Sequence, residues 1–230
     1  VSVTSGLAIV IPPSIAFIVY GSVADVSVPA LFAAGFVPGI VVALFIMAAV
    51  LIISRKRGYR GQPSGKSVGT ALKEAFWGVM TPVVILGGIY GGIMTPTEAA
   101  AVAAFYGLIV GVFLYREMDF KTVCSSCVAS CETSSIIIVL MAMATLFGNI
   151  MTIEDVPGTV ARAILSFSEN KIVILMLINV LLLIVGTFME ALAAIVILVP
   201  ILLPIVTGVG VSPLHFGVII VVNLAIGFIT

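Results

Sequence analysis

The sequence predicts an all-α polytopic membrane protein whose helices include broken segments and a re-entrant hairpin. Apolar residues make up 62% of the 230 residues and charged residues only 9%, and the mean hydropathy is +1.37. A soluble domain typically has about 45–50% apolar and about 25% charged residues, so this chain cannot cover a water-exposed surface. Several apolar runs approach or exceed the roughly 20 residues that span a bilayer as a helix, and prolines interrupt some of them.

The charged and reactive residues exclude several classes of protein. Ten Lys and Arg residues balance ten Asp and Glu residues, so no net field attracts nucleic acid. The chain has no Walker A, G-x-S-x-G or H-E-x-x-H motif, and we predict that it is not an enzyme and is not driven by ATP. Three cysteines have C-x2-C-x3-C spacing without a fourth ligand nearby, and small residues at a helix interface explain this stretch better than a metal site (Cys124, Cys127 and Cys131).

The first element, residues 1–21, is predicted to be an unwound helix. Pro12 and Pro13 remove two amide donors and force the preceding residue out of the α region. Carbonyl oxygens freed at membrane depth are costly unless they line a cavity or bind a cation. Discontinuous helices of this kind form the substrate and ion sites of secondary transporters. The alternative is a simple proline kink in a packed helix.

The next elements are predicted to be membrane spans. In the first of them Pro38 and Gly39 predict a short arm over residues 29–36 and a helix that starts near Pro38. Between the second and third, Thr95 or Thr97 can cap the following helix. The four spans cover residues 28–54, 76–94, 97–115 and 134–151.

Residues 172–207 are predicted to form a re-entrant hairpin of two short apolar arms. The linker between the arms is too short and too apolar for an aqueous loop, and Gly186 permits a tight turn within it. Thr187 and Glu190 place polar side chains within the membrane, where a polar group costs more free energy than an apolar one. Together with Ser14, which follows the two prolines, they are predicted to line a substrate cavity. The alternative for Glu190 is that its carboxylate reaches a membrane interface.

Basic residues predict the orientation of the chain. Six of the ten lie in one stretch, Arg55–Lys73, and cytoplasmic loops of membrane proteins carry an excess of Lys and Arg. Counting the spans from this loop predicts that the hairpin around Gly186 opens to the outer face. A broken helix that opens from inside and a hairpin that opens from outside are the elements of an inverted repeat.

Several stretches, taken together and in order, resemble the DctM-type large membrane subunit of tripartite ATP-independent periplasmic (TRAP) transporters. The resemblance covers essentially the whole chain and implies roughly the C-terminal half of a longer inverted-repeat secondary-transporter fold. The chain departs from the usual pattern at Ala8, where glycine is common, and at Glu190-Ala191-Leu192, where Asp-Pro-Thr is common. The stretches are Ile11–Ile15 with Tyr20-Gly21, Ile53–Tyr59, Gly91–Val102, Pro200–Ile205 and Pro213–Gly217.

The resemblance implies a Na⁺-coupled importer of a small organic acid, such as a dicarboxylate or sialic acid, that works by an elevator-type motion. It implies two partners, a periplasmic substrate-binding protein and a small membrane subunit, and a multi-pass location in the bacterial cytoplasmic (inner) membrane. Residues 216–230 would begin a second unwound helix. Two Na⁺ sites are implied, largely through backbone carbonyls: one at Gly186, Gly227 and Thr230, and half of another at Ala8, Ile11 and Pro13.

Two alternatives to symport stay open at this point. A structural or scaffold membrane subunit would use the polar tips only for packing and would transport nothing itself. A channel is a weaker possibility, because the sequence shows no ring of charges and no filter-like repeat.

Overall fold

The computed structural model describes residues 6–58, 67–156, 158–160, 162 and 170–229, and its regular elements over these ranges are helical. By length and composition six of the helices, α3 to α8, can cross a membrane. The predicted all-α polytopic class is therefore confirmed. The helices are α1 (Leu7–Val10), α2 (Ile15–Ala24), α3 (Val28–Arg57), α4 (Val68–Tyr90), α5 (Pro96–Ile109, continued by a π-helical segment Val110–Leu114), α6 (Phe120–Ile153), α7 (Lys171–Phe188), α8 (Ala191–Gly208) and α9 (Pro213–Ile229).

The chain divides into two compact units, and the first contains the broken helix and the predicted hairpin. This unit comprises Val1–Ile46 and Ser135–Thr230, and the second comprises Met47–Ser134. Within the first unit, α8 packs against α2 and α9, and α9 packs along the length of α7. Buried side chains recur on α7 at intervals of four residues, so one helical face enters the core (Ile174, Ile178 and Leu182).

Three contacts show that α7 and α9 run parallel. Near their starts, the Lys171 ammonium donates to the Gly210 carbonyl at 2.8 Å. Halfway along, the Asn223 amide donates to Asn179, and near their ends Gly186 lies against Gly227. Helix α8, which lies between α7 and α9 in the sequence, runs in the opposite direction. The ends of α7 and α9 and the starts of α2 and α8 therefore lie together, and we call this region, which contains Ser14, Gly186, Glu190 and Gly227, the break end.

At the opposite end of this unit, the C-terminal half of α2 packs against the start of α9. Tyr20 is fully buried, and its hydroxyl donates to the Pro213 carbonyl at 2.6 Å. Its ring meets the Phe216 ring edge-to-face with centroids 6.4 Å apart. A side chain at Gly217 would overlap the Tyr20 ring, so glycine is required there. Two of the stretches that carry the family resemblance thus contact each other.

In the second unit, α4 packs against α5. The Tyr106 hydroxyl donates to the Trp77 carbonyl at 2.9 Å, and the Tyr115 hydroxyl to the Glu74 carbonyl at 2.7 Å. Helix α4 ends at Tyr90, before a turn in which Gly92 has a φ of +67°.

The start of α5 confirms one of the two predicted caps. The Thr95 hydroxyl accepts a hydrogen bond from the Glu98 amide, and the Glu98 carboxylate accepts one from the Thr95 amide at 2.8 Å. This reciprocal capping box satisfies two amide donors that the first helical turn would otherwise leave unpaired. Thr97 lies inside the helix, so the cap is Thr95 and not Thr97.

The expected short arm before Pro38 is wrong, because α3 continues through this proline. An interior proline removes one helical hydrogen bond, but tertiary packing holds this helix together. A Cβ at Gly35 would lie only 2.6 Å from the Phe17 ring, and one at Gly39 would lie 3.1 Å from the Ile11 side chain. The helix therefore packs its glycine face against the residues around the break.

Other helices extend beyond the apolar runs. Helix α4 starts at Val68 and α6 at Phe120, ahead of the predicted starts at residues 76 and 134. Helices α7 and α8 have 18 residues each, about 27 Å in length, and only two residues separate them. Each can cross a membrane by length and composition, and the re-entrant, outward-opening arrangement stays a prediction.

The basic cluster lies partly on helices. Arg55, Lys56 and Arg57 form the last turn of α3, and Lys73 lies on α4. Arg60 and Lys66 lie outside the described residues. The cytoplasmic placement of this cluster stays a prediction.

Candidate functional site

The first helix is interrupted at the two prolines, as the sequence predicts. Helix α1 ends at Val10, and its last hydrogen bond runs from the Ile11 amide to the Leu7 carbonyl at 3.0 Å. In a continuous helix the Ala8 and Ile9 carbonyls would accept from residues 12 and 13, which are both proline and have no N–H. The break therefore deprives these two carbonyls of their helical donors.

Ser14 supplies a hydrogen-bond donor to one of these two carbonyls. Its side chain is buried, with 2% exposure, and its hydroxyl donates back across the break to the Ile9 carbonyl. Serine at the start of a helix usually caps the first-turn amides. Here the hydroxyl makes no capping bond to α2. The N-terminus of α2 consequently offers its amides and its partial positive charge to the surroundings.

A cavity of about 300 Å³ at the break end joins the predicted site residues Ala8, Pro13, Ser14 and Glu190. The N-termini of α2 and α8 both border it. The N-terminus of α2 has no side-chain cap and favours a negatively charged group, whereas the N-terminus of α8 already carries the Glu190 carboxylate. The lining does not include Ile11 or Thr187. The full lining is Ala8, Ile9, Pro13, Ser14, Ile15, Ala16, Glu190, Ala191 and Leu192.

Glu190 is exposed at the start of α8 and acts as its N-cap. Its carboxylate accepts a hydrogen bond from the Ala193 amide at 3.2 Å. The negative charge lies where the helix dipole favours it. The Thr187 hydroxyl, in contrast, is exposed and donates to the Ile184 carbonyl of its own helix at 2.7 Å. The structure thus brings Glu190, but not Thr187, to the cavity.

Gly186 and Gly227, predicted members of one cation site, touch through their backbones. A Cβ at Gly227 would lie 2.8 Å from the Gly186 Cα and 3.1 Å from the Leu183 carbonyl oxygen. Met189 donates the last hydrogen bond of α7, to Val185, so the Gly186 carbonyl lies past the helical ladder. Thr230, the third predicted member, lies outside the described residues.

The structure pairs Asn223 on α9 with Asn179 on α7, and the sequence analysis did not identify this pair. It also missed a second cavity of about 370 Å³ between α2, α6 and α8, into which Asn149 contributes. Both features depend on pairing between distant helices. In the described ranges, no cluster of three His, Cys, Asp or Glu side chains could hold a metal ion, and the three cysteines lie exposed on α6.

Membrane-length helices, a helix broken by two prolines and a cavity bordered by helix N-termini define a polytopic membrane protein of the discontinuous-helix type that secondary transporters use. The family follows from sequence comparison. The whole chain, residues 1–230, matches the DctM component of tripartite ATP-independent periplasmic transporters. The chain belongs to this family, and the resemblance stated from the sequence is confirmed.

Relatives whose names mention a substrate support the same family. The chain is 57% identical over its full length to the isethionate TRAP transporter permease protein DctMQ of Oleidesulfovibrio alaskensis, covering 37% of that protein. It is 40% identical over 96% of its length to the sialic acid TRAP transporter large permease protein SiaM of Vibrio cholerae, covering 52% of it. It is 39% identical over 97% of its length to the C4-dicarboxylate TRAP transporter large permease protein DctM of Pseudomonas aeruginosa, covering 53%. The chain thus spans about half, or less, of these relatives.

Proposed function

We propose that this chain is part of a TRAP large permease that imports a small organic acid by Na⁺-coupled symport. The observation that carries the proposal is the cavity at the break end, where the N-terminus of α2, which has no side-chain cap, and the Ala8 carbonyl, which has lost its helical donor, come together. Both are polar backbone groups beside a cavity that is lined mainly by apolar residues. They match the way discontinuous helices bind anions and cations in secondary transporters.

The substrate proposed is an organic anion. Isethionate, sialic acid and C4-dicarboxylates, which the names of the relatives mention, share an acidic group. The open N-terminus of α2, left uncapped by Ser14, offers amide donors to such a group. Glu190 lies at the rim, where its charge compensates the N-terminus of α8 and balances a bound cation.

The coupling cation proposed is Na⁺, held mainly by backbone oxygens. Gly186, Gly227 and Thr230 would form one site, supported by the contact of the two glycines and by the Gly186 carbonyl past the end of the α7 ladder. Ala8, with Ile11 and Pro13, would form half of another, supported by the loss of helical donors at the break. Unwound backbone carbonyls and half-helix ends coordinate Na⁺ in transporters of this kind.

The rest of the machinery follows from the family. We propose an elevator-type motion, delivery of the substrate by a periplasmic binding protein, a small membrane subunit beside this one, and residence in the lipid bilayer of the bacterial inner membrane. The name of the family describes a tripartite, periplasmic system. A scaffold subunit that transports nothing itself is the alternative, and it has no use for an uncapped helix N-terminus at a cavity.

Uptake by the whole transporter, with its binding protein, tests the proposal in proteoliposomes. Radiolabelled isethionate should accumulate with an inward Na⁺ gradient and not with choline in its place. Thr230→Val should weaken the Na⁺ dependence, because it removes a hydroxyl ligand. Thr95→Val is the matched control, since loss of that cap should lower stability by about 1 kcal/mol without changing the Na⁺ response. Isethionate, succinate and sialic acid would each be tested as substrates. If uptake of each of them is the same with choline as with Na⁺, Na⁺ coupling is refuted.

Glu190→Gln should leave the fold intact and weaken the apparent Na⁺ affinity of uptake about 2- to 5-fold, the size typical of an exposed charge interaction. Glutamine keeps the oxygen that accepts from the Ala193 amide and loses only the negative charge. Glu190→Asp keeps both an accepting oxygen and the negative charge, so it should behave like the wild type. Na⁺ titration of initial uptake rates measures this. If the Na⁺ titration of Glu190→Gln matches that of the wild type, the Glu190 carboxylate does not balance the charge of a bound cation.

A further inference from the structure

Two asparagines face each other in an otherwise apolar interface between α7 and α9. The Asn223 side-chain nitrogen donates to the Asn179 side-chain oxygen at 2.6 Å and to the Ile219 carbonyl, one turn back in its own helix, at 2.8 Å. The second bond fixes the orientation of the Asn223 amide, so its remaining hydrogen is directed at α7. Buried aliphatic residues lie within one turn of the pair on the two helices, among them Ile178, Leu182 and Ile220.

The position of this pair along the helices matters because of the two glycines beyond it. Asn223 lies about one turn before Gly227, and Asn179 lies about two turns before Gly186. The glycines fit only against each other, since a Cβ at Gly227 would lie 2.8 Å from the Gly186 Cα. A slip of one turn, about 5.4 Å, would put a larger residue at this crossing and separate the backbones.

Aliphatic side chains alone would define this register weakly. In a bilayer the lipid tails are as apolar as the helix surfaces, so association depends on close packing and on interhelical hydrogen bonds. Leucine, isoleucine and valine can repack after a slip, whereas the amide pair has its partner in one register only. A single polar pair in an apolar helix interface is a known device for selecting register.

We propose that Asn179 and Asn223 are positioning residues for the cation site at Gly186 and Gly227. Their hydrogen bond sets the register in which the end of α7 meets the end of α9, and it also joins the two helices so that they move together. This inference rests on the proposed function, because it assigns the pair to a Na⁺ site. The asparagines themselves do not contact the ion.

The test compares Na⁺ titrations of uptake in the whole transporter for three variants. Asn179→Leu removes the acceptor while it keeps the branching of the side chain, and it should weaken the apparent Na⁺ affinity about 3- to 15-fold, the range that a membrane hydrogen bond supplies. Asn179→Gln keeps a neutral amide acceptor that can reach Asn223 and should retain more of the wild-type affinity than Asn179→Leu. Thr207→Val is the matched control, because the Thr207 hydroxyl bonds only to carbonyls of its own helix among the described contacts, Leu203 and Pro204.

A second measurement separates positioning from general stability. Thermal unfolding of the purified transporter in Na⁺ and in choline gives the stabilisation due to Na⁺, which Asn179→Leu should reduce and Thr207→Val should not. If the wild type responds to Na⁺ and Asn179→Leu responds equally, the positioning role is wrong and the proposed function stands. If the wild type itself shows no Na⁺ response in either assay, the proposed function falls and this inference falls with it.

Discussion

Gly227→Ala should abolish most Na⁺-dependent uptake. The added methyl would lie 2.8 Å from the Gly186 Cα and 2.9 Å from its carbonyl carbon, and these are backbone atoms that cannot rotate away. The ends of α7 and α9 must therefore move apart. Overpacking of this kind costs about 1–3 kcal/mol of stability. If the whole cost appears as weaker Na⁺ binding, the Na⁺ affinity falls about 5- to 150-fold.

Two other glycine substitutions make the test specific. At Gly186 the nearest atom to an added Cβ is 3.1 Å away, so Gly186→Ala should have the same effect in milder form. Gly208, at the end of α8, has open space where an added methyl would lie, with no atom within 4 Å, so Gly208→Ala should leave uptake and stability nearly unchanged. Na⁺ titration of uptake with thermal unfolding measures all three. A Gly227→Ala transporter with the wild-type Na⁺ dependence would contradict the assignment of the site.

Features set by local chemistry could be predicted from the sequence. The break at Pro12 and Pro13 follows from two missing amide donors, and the cap at the start of α5 follows from the Thr95 and Glu98 spacing. The membrane class follows from composition. For the break and the cap, the residues that decide the structure lie within a few positions of one another.

Features set by distant contacts could not be predicted. Pro38 is a single proline, and α3 continues through it while Gly35 and Gly39 pack against the residues of the break. Helix α4 likewise continues through Pro82. The partner of Asn223 is 44 residues away, and nothing in the local sequence of α7 identifies Asn179 over its other positions. Glutamate is not a favoured N-cap, so the capping role of Glu190 carries no sequence signal.

Ser14 affects both the local structure of the break and the cavity beside it. The sequence predicts that it lines a substrate cavity. In the structure Ser14 borders the cavity at the break end, and its hydroxyl forms a hydrogen bond within the break. The effect on a ligand is then indirect: because the hydroxyl serves the Ile9 carbonyl, it does not cap α2. The helix N-terminus stays open at the cavity, which is the feature that the proposed anion site needs.

Ser14→Ala should lower the free energy of unfolding by about 1–3 kcal/mol, the cost of leaving a buried carbonyl unsatisfied, and should reduce uptake as the break relaxes. Ser14→Cys, with a similar volume and a weaker donor, should fall between the alanine variant and the wild type. Ser212→Ala is the matched control. Among the described contacts that exposed hydroxyl accepts only from the His215 amide, at the opposite end of the unit, so the variant should lose stability without losing substrate affinity.

Pro13→Ala separates the stability of the break from its function. Alanine restores an amide that can donate to the Ile9 carbonyl, so stability should hold or rise even when Ser14 is also replaced by alanine. The same change allows the helix to continue through the break and closes the N-terminus of α2, so uptake of radiolabelled isethionate should be lost. Chemical denaturation and proteoliposome uptake of the single and double variants measure the two effects independently. A Pro13→Ala transporter that is both stable and fully active would show that the break is only a packing feature, and the anion site at α2 would then be wrong.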